Sequence, residues 1–353
     1  MSTRRNRCGH LVSRTSPLGA EQATVLVTGG AGYIGSHTAK ALARAGYVPV
    51  VFDNFVAGHR EAVQFGPCVE GNILDTARVR QALTDFGASA VVHFAAFLDV
   101  GESVREPMRY YQNNVAGALS VLEAMAGAGV RRFVFSSTCA TYGEPLETPI
   151  TEAHPQRPIN SYGESKLAVE RALPHWERAH GIGFMALRYF NAAGADPEGD
   201  LGEDHTPEIH LIPRAIEAAT GGRPLDVFGD DYPTPDGTCL RDYVHVSDLA
   251  DAHVQALRAL EQGHVSTAFN LGTGIPQSVR AVIAAVERVV GRPVVHRMAP
   301  RRPGDPAALY AAATRAEEVL GWRARYRDLE DIVRTAWQWH RRHPHGYSAS
   351  PRQ

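Results

Sequence analysis

Residues 24–36 read "TVLVTGGAGYIGS". "TVLVT" is a short apolar, β-branched run of the kind that forms a buried strand. Gly30, Gly32 and Gly35 fit G-x-G-x-x-G, and Gly29, Gly32 and Gly35 fit G-x-x-G-x-x-G. Glycines there allow a tight turn and let backbone N–H groups approach a pyrophosphate at a helix N-terminus. Such a string is weak alone, but strand, turn and helix in succession are the context that makes it a dinucleotide site.

Asp53 closes the next apolar run, "YVPVVFD", 18 residues after Gly35. A carboxylate at that distance accepts hydrogen bonds from the adenosine ribose hydroxyls and repels a 2′-phosphate, which favours NAD over NADP.

Outward from this turn, strand-like runs alternate with helical patterns. "CVEGN", "AVVHFA", "RRFVFSS" and "GFMALRYFN" read as strands; "DTARVRQALTDF", "NNVAGALSVLEAMAGAG" and the segment around "YGESK" read as helices. This alternation implies an α/β fold, a Rossmann-type doubly wound parallel sheet covered on both faces. After Asn191 the texture changes. "AAGADPEGDLGEDHTPEIH" and "FGDDYPTPDGTCLRDY" are Gly-, Pro- and Asp-rich loops between further helical patterns. The expected division is a tail at 1–22, an NAD-binding domain at 23–190 with a return segment near 241–272, and a smaller C-terminal α/β substrate lobe within 191–353.

The chain has 353 residues, 44% hydrophobic and 21% charged, with a formal net charge of -2. That balance offers no broad basic surface for nucleic acid. No apolar run approaches the roughly 20 residues that span a bilayer. Cys8, Cys68, Cys139 and Cys239 are far apart, which fits reduced thiols in the cytoplasm better than a disulfide framework. The opening "MSTRRNRCGHLVSRTSPLGAEQ" is basic and lacks an apolar core for a secretory signal, so it reads as a disordered tail. The histidines of "WHRRHPHGY" have no acidic or cysteine partners at ligand spacing, and no metal is expected.

"NSYGESKLAVE", residues 160–170, contains Lys166, one of only two lysines, four residues after Tyr162. On a helix the two share a face. An ammonium near the phenol, with the positive nicotinamide ring of NAD, lowers the tyrosine pKa from its ordinary value near 10. A tyrosine so tuned can take a proton from an alcohol while the hydride leaves for the cofactor. Thr138 ends the strand of "VFSSTCATYG", where ligands bind in open α/β sheets, and offers a hydroxyl to hold that alcohol.

The motifs "VTGGAGYIGSH", "HFAA", "VGESV", "YYQNNV", "FSSTCATYG", "YGESK", "LRYFNAAGA", "FGDDYPTPDGTCLRDYVHV", "FNLGTG" and "RRPGD" together resemble the extended short-chain dehydrogenase/reductases. More narrowly, they are similar to the UDP-glucose 4-epimerase family. The resemblance implies NAD-dependent interconversion of UDP-galactose and UDP-glucose through a transient 4-keto sugar, in galactose metabolism. It implies Tyr162 as base and acid, Lys166 as its modulator and ribose contact, and Thr138 as partner of the sugar O4. Around the cofactor it places Gly29, Gly32, Tyr33, Ile34, Gly35, Asp53, Asn54, Phe55, Val56, Ala57, Gly58, Asn72, Ile73, Phe94, Ala95, Ala96, Asn113 and Phe190. Along the UDP-sugar it places Asn191, His210, Leu211, Phe228, Arg241, Arg302, Asp305 and Leu309. Leu98 departs from the lysine some members use to reach the cofactor phosphates. Members are commonly homodimers, and the apolar stripe of "NNVAGALSVLEAM" suits either such an interface or the core.

Alternatives on the same scaffold are a UDP-pentose or UDP-N-acetylhexosamine 4-epimerase, with Leu309 as the gate of the sugar pocket. A non-catalytic NAD-binding scaffold is disfavoured because Tyr162 and Lys166 are both present. A 4,6-dehydratase requires an acid/base pair after the hydroxyl residue, where this chain has Cys139 and Ala140.

Overall fold

The computed structural model describes residues 22–302 and 305–347. The basic tail, except its last residue, and Cys8 lie outside the described residues.

The first half alternates as the sequence pattern predicts: β1 (Thr24–Thr28), α1 (Tyr33–Arg44), β2 (Val48–Asp53), β3 (Cys68–Glu70), α2 (Thr76–Asp85) and β4 (Ala88–His93). After two short helices, α3 (Val100–Arg105) and α4 (Pro107–Tyr110), come α5 (Gly117–Ala128), β5 (Arg132–Thr138), α6 (Ser161–His180) and β6 (Gly183–Tyr189). The segment expected as one helix from "NNV" onward begins instead as a π-turn over Tyr111–Ala116. Such turns insert a residue into the helical ladder and re-aim its side chains.

Seven parallel strands form the main sheet in the order β10-β6-β5-β4-β1-β2-β3, where β10 is Thr267–Leu271. Order reverses between β1 and β4, and ligands of such sheets bind outside the carboxyl ends of the strands at that reversal. Successive residues of β1 face opposite sides. Leu26 packs with Phe52, Phe133 and Phe135 against Val121, Leu122 and Leu173 of α5 and α6. Val25 and Val27 pack with Val92 and Leu187 against Leu42 of α1 and Leu249 and Leu257 of α8 (Val246–Glu261). Both faces are buried, which explains strands that are apolar throughout.

Most of the remaining elements build a smaller lobe: β7 (Asn191–Ala193), α7 (Leu211–Ala219), β8 (Leu225–Phe228), β9 (Leu240–His245), β11 (Pro276–Ser278), α9 (Val279–Val290), β12 (His296–Ala299), β13 (Ala308–Leu309) and α11 (Leu329–Arg342), while α10 (Thr314–Leu320) packs back on the main-sheet core beside α8 and β10. β9 is flanked by β11 and β13 and also pairs with β7, while β8 pairs with β12. Helices α7, α9 and α11 enclose a separate apolar core with Ile216, Val286 and Val333. Lys40, the second lysine, fastens α1 to the segment after β7. Its Nζ is buried and lies 2.6 Å from Asp196 and 2.7 Å from Asp200.

Candidate functional site

The glycine-rich turn is built by contacts that admit no side chain. Gly29 has φ +71°, and a Cβ there would stand 2.5 Å from the Ala95 nitrogen. A Cβ on Gly35 would stand 2.2 Å from the Gly29 carbonyl oxygen. Gly32 caps α1 without any side-chain acceptor, so the first-turn N–H groups, including those of Tyr33 and Ile34, have no intrahelical acceptor. Asp53 ends β2 beside this turn. One carboxylate oxygen accepts from the Ala31 N–H at 3.0 Å and the other from Phe55 N–H at 2.8 Å. Burial raises its pKa and the backbone donors oppose that. Each oxygen keeps a second lone pair for a ribose hydroxyl.

The loop after Asp53 holds Phe55 at φ +58°, in the left-handed region that non-glycine residues seldom occupy. The Arg60 guanidinium covers its ring at 4.0 Å. Asn54, Val56 and Ala57 are exposed around it, and Gly58 lies against Ala31. Across the turn, the N–H groups of Phe94 and Ala95 both donate to Thr28 O, which lays the segment through Ala96 over the end of β1. Asn72 is exposed and its amide oxygen accepts from Leu74 N–H; Ile73 is buried in the core against Gly117. A turn of glycines a Cβ would fill, an uncapped helix start and a buried carboxylate at the ribose position fit NAD.

At the carboxyl end of β5, the buried Thr138 hydroxyl accepts from Ala140 N–H at 3.1 Å. Helix α6 begins directly over the following turn, capped by Asn160. Gly163 makes that approach: a Cβ there would stand 2.5 Å from the Ala140 carbonyl oxygen. Tyr162 is consequently set among Thr138, Cys139, Tyr189 and Tyr110. Burial drives its pKa well above the ordinary value, the neighbouring phenols and thiol add to this, and the Thr138 hydroxyl pulls the other way.

Within the protein alone, burial outweighs the lowering expected from Lys166. The Lys166 Nζ is buried and donates to Ser136 O at 2.8 Å; burial pulls its pKa down to about 7. One turn on, the buried Glu170 pairs with Arg188 of β6 and accepts from Ser137, which fastens α6 to the sheet. Burial pushes the Cys139 thiol up to about 12, so it stays neutral.

Several residues that tie the site together escaped the sequence reading. Asn114, in the π-turn beside the half-buried Asn113, clamps Phe97 through both its N–H and C=O and donates to Ser165 of α6 at 3.1 Å. The doubled amide of "YYQNNV" was the available signal. Asp242, fully buried on β9, accepts from Thr273, Gly274 and Ala311. Leu98, where the phosphate-reaching lysine is missing, is exposed.

Phe190, expected beside the cofactor, and Leu309, expected at the sugar, share a small apolar cluster with Tyr142 and Cys139, next to Thr138. Leu309 is in register with Arg241 across the β13–β9 pair, and Asn191 faces Tyr243 across the β7–β9 pair. Arg241 donates to Asp305 at 3.1 Å and to Pro306 O at 2.9 Å. Both side chains are expected along the UDP-sugar, and here they also hold each other. The Arg302 guanidinium lies 3.9 Å over the ring of Phe228, so two residues expected along the UDP-sugar stack on each other. His210 caps α7 ahead of Leu211. Burial opposes its charge, but the carboxylates of Glu203 and Glu208 more than offset this and raise its pKa to about 10.

Residues 25–272 match the NAD dependent epimerase/dehydratase family. The UDP-glucose 4-epimerase of Rhizobium leguminosarum bv. trifolii is 54% identical over 90% of this chain and 97% of its own length. The crystal structure of UDP-glucose 4-epimerase from Brucella ovis in complex with NAD superposes with a TM-score of 0.88 at 52% identity, covering 90% of this chain and 98% of that one. A UDP-glucose-4-epimerase from Stenotrophomonas maltophila with bound NAD and formylated UDP-arabinopyranose gives a TM-score of 0.88 at 39% identity, covering 92% and 99%.

Proposed function

The chain belongs to the NAD dependent epimerase/dehydratase family, and from that premise we propose that it interconverts UDP-galactose and UDP-glucose by reversible oxidation at C4. The observation that carries this reading is the assembly of Thr138, Tyr162 and Lys166 at the carboxyl end of β5, on the same edge of the sheet as the glycine turn after β1 and Asp53 at the end of β2.

NAD, once bound, would supply the acceptor for the C4 hydride and its later donor. The glycine turn receives the pyrophosphate on its free N–H groups and Asp53 holds the adenosine ribose. Thr138 holds O4 of the sugar, and the Tyr162 oxygen takes the O4 proton and later gives it back. A phenol raised by burial needs positive charge nearby to act as a base. Lys166, fixed by Ser136 O, supplies part of it, and the oxidised cofactor ring the rest. The neutral Cys139 and Ala140 provide no acid/base pair for dehydration, so the 4-keto sugar persists until reduced. Arg241 and Arg302 meet the UDP phosphates, Asp305 the uridine ribose, and His210 offers Nε2 to the nucleotide. Phe190 borders the inner half of the cofactor and Leu309 the sugar.

We also place the enzyme in the cytoplasm as a homodimer. The stripe of "NNVAGALSVLEAM" is taken by the core, since Ala118, Val121, Leu122 and Met125 are buried. In the segment just before α5, Val100, Val104, Met108 and Tyr111 are exposed at 45%, 64%, 67% and 43%. These residues form the dimer face, which light scattering on the purified protein checks.

The activity is tested by incubating purified protein with UDP-galactose and following the anomeric proton signals by NMR. UDP-glucose should accumulate to a fixed ratio from either direction without net oxidation. No conversion by protein that carries NAD would overturn the reading.

A further inference from the structure

The connection from β7 to α7 contains "GEDHTPEIH", residues 202–210, with Glu203, His205, Glu208 and His210 in the spacing E-x-H-x-x-E-x-H. One ligand atom from each of the four lies within 4.8 Å of all the others. His210 Nδ1 is 2.7 Å from Glu203 and 3.2 Å from Glu208, and His205 Nδ1 is 3.4 Å from Glu203 and 3.6 Å from Glu208. Donors bound to zinc at its usual distances in a tetrahedron stand about 3.3 Å apart. These four separations bracket that value. We propose that Glu203, His205, Glu208 and His210 bind one divalent transition-metal ion of the zinc class.

A second observation separates this cluster from an ordinary ion-pair network. Glu203 is 4% exposed, yet its Oε1 and the His205 Nδ1 are buried without a hydrogen-bond partner. The atoms are close enough to bond and are not aligned to do so. A buried carboxylate oxygen in that condition is costly, and an ion coordinated by both atoms satisfies them together. Without an ion the two carboxylates hold protons on the imidazoles and raise their pKa; a dication would displace those protons, and the two carboxylates would then balance its charge. Imidazole nitrogens favour zinc, cobalt or nickel over magnesium or calcium.

The contrast within the same connection is instructive. Asp196, Glu198 and Asp200 also converge, but the Lys40 ammonium sits among them at 2.6, 3.0 and 2.7 Å. That cluster already has its cation.

All four ligands fall within eight residues, so the ion closes one short loop directly ahead of α7. The Tyr33 ring stands edge-on to His205 at 6.2 Å, which links the loop to the glycine turn. Coordination through His210 Nδ1 leaves Nε2 for the nucleotide. The ion thus has a structural place beside the site and takes no part in hydride or proton transfer.

The test uses the full chain, treated with chelator, dialysed and titrated with zinc by calorimetry, with metal content measured independently. One zinc per chain and a raised unfolding temperature are expected. Cobalt should give the intense visible absorption of a tetrahedral site. Glu203→Gln and His205→Gln should each weaken zinc binding more than about 100-fold, since loss of even an outer partner costs 10- to 100-fold. If either variant fails to fold, the cobalt spectrum of the unaltered protein decides. Substoichiometric zinc, a weak octahedral cobalt spectrum, or binding unchanged in the folded variants would overturn the proposal.

Discussion

Gly163 of α6 rests on the Ala140 carbonyl so closely that a Cβ would stand 2.5 Å from that oxygen. The glycine of "YGESK" thereby sets how near the Tyr162 phenol comes to Thr138. Gly163→Ala should leave a folded, NAD-containing protein and lower kcat roughly 10- to 100-fold, the effect of displacing a reacting group by about 1 Å. Wild-type kcat in this variant would show that the approach of α6 is not limiting.

Tyr162→Phe removes the proton acceptor while keeping the ring. Turnover should fall roughly 100- to 10,000-fold, the usual range for loss of a general base, with NAD still bound. Thr138→Val should lower kcat while Thr138→Ser restores it. Equal rates in the valine and serine variants would separate the hydroxyl from the chemistry.

Asp53 decides the cofactor. Asp53→Asn keeps an acceptor for one backbone N–H but removes the charge that repels a 2′-phosphate. The preference for NAD over NADP should narrow by roughly 10- to 100-fold, in line with a charge-assisted hydrogen bond of about 1.5–3 kcal/mol. Cofactor dissociation constants from tryptophan quenching check it, and an unchanged ratio would remove Asp53 from the ribose.

Leu309 shares an apolar cluster with Phe190 and Cys139. Leu309→Ala should raise the rate with UDP-N-acetylgalactosamine relative to UDP-galactose by about tenfold or more, and Leu309→Tyr should lower it, as pocket volume changes of this size commonly do. Competition of the two substrates in one reaction reads the ratio directly.

Stability should fall in mild acid. Burial lowers the pKa of His37 and His253 to about 4 and of His93 and His245 to about 3. Each folded value lies below the unfolded value near 6.5, so the unfolded chain binds the extra protons. Their contribution is complete above about pH 6.5 and is lost as pH falls toward those folded values. With four such groups the slope approaches about 5 kcal/mol per pH unit near pH 5. Urea midpoints from pH 7.5 to 5 measure this. His93→Asn should reduce the slope by about one proton, and a flat profile would contradict the burial of these rings.

The alternation of β-branched runs and helical patterns carried the parallel sheet into view, because a strand buried on both faces leaves an apolar signature such as "VLV" at 25–27. The Tyr162–Lys166 spacing was equally legible, being a property of one helix. Pairings between distant segments were not. Arg241 meets Asp305, and Arg302 covers Phe228, through loops whose paths no periodicity encodes. How strongly burial raises the Tyr162 pKa was not legible for a related reason. The balance with Lys166 depends on how deeply both groups are buried and on the Ser136 carbonyl that holds Nζ. Glu203, His205 and Glu208 drew no reading in a loop rich in glycines and prolines, and His210 was read only toward the UDP-sugar, although their spacing is present in the string.

The central claim is that one hydride leaves C4 and returns to C4 within the same active site. UDP-galactose carrying deuterium at C4, turned over by protein containing its own NAD with none added, tests it most directly. The account predicts UDP-glucose that retains the deuterium at C4, and almost no product from Tyr162→Phe. Loss of the label to solvent water, or turnover by Tyr162→Phe equal to that of the unaltered protein, would contradict it.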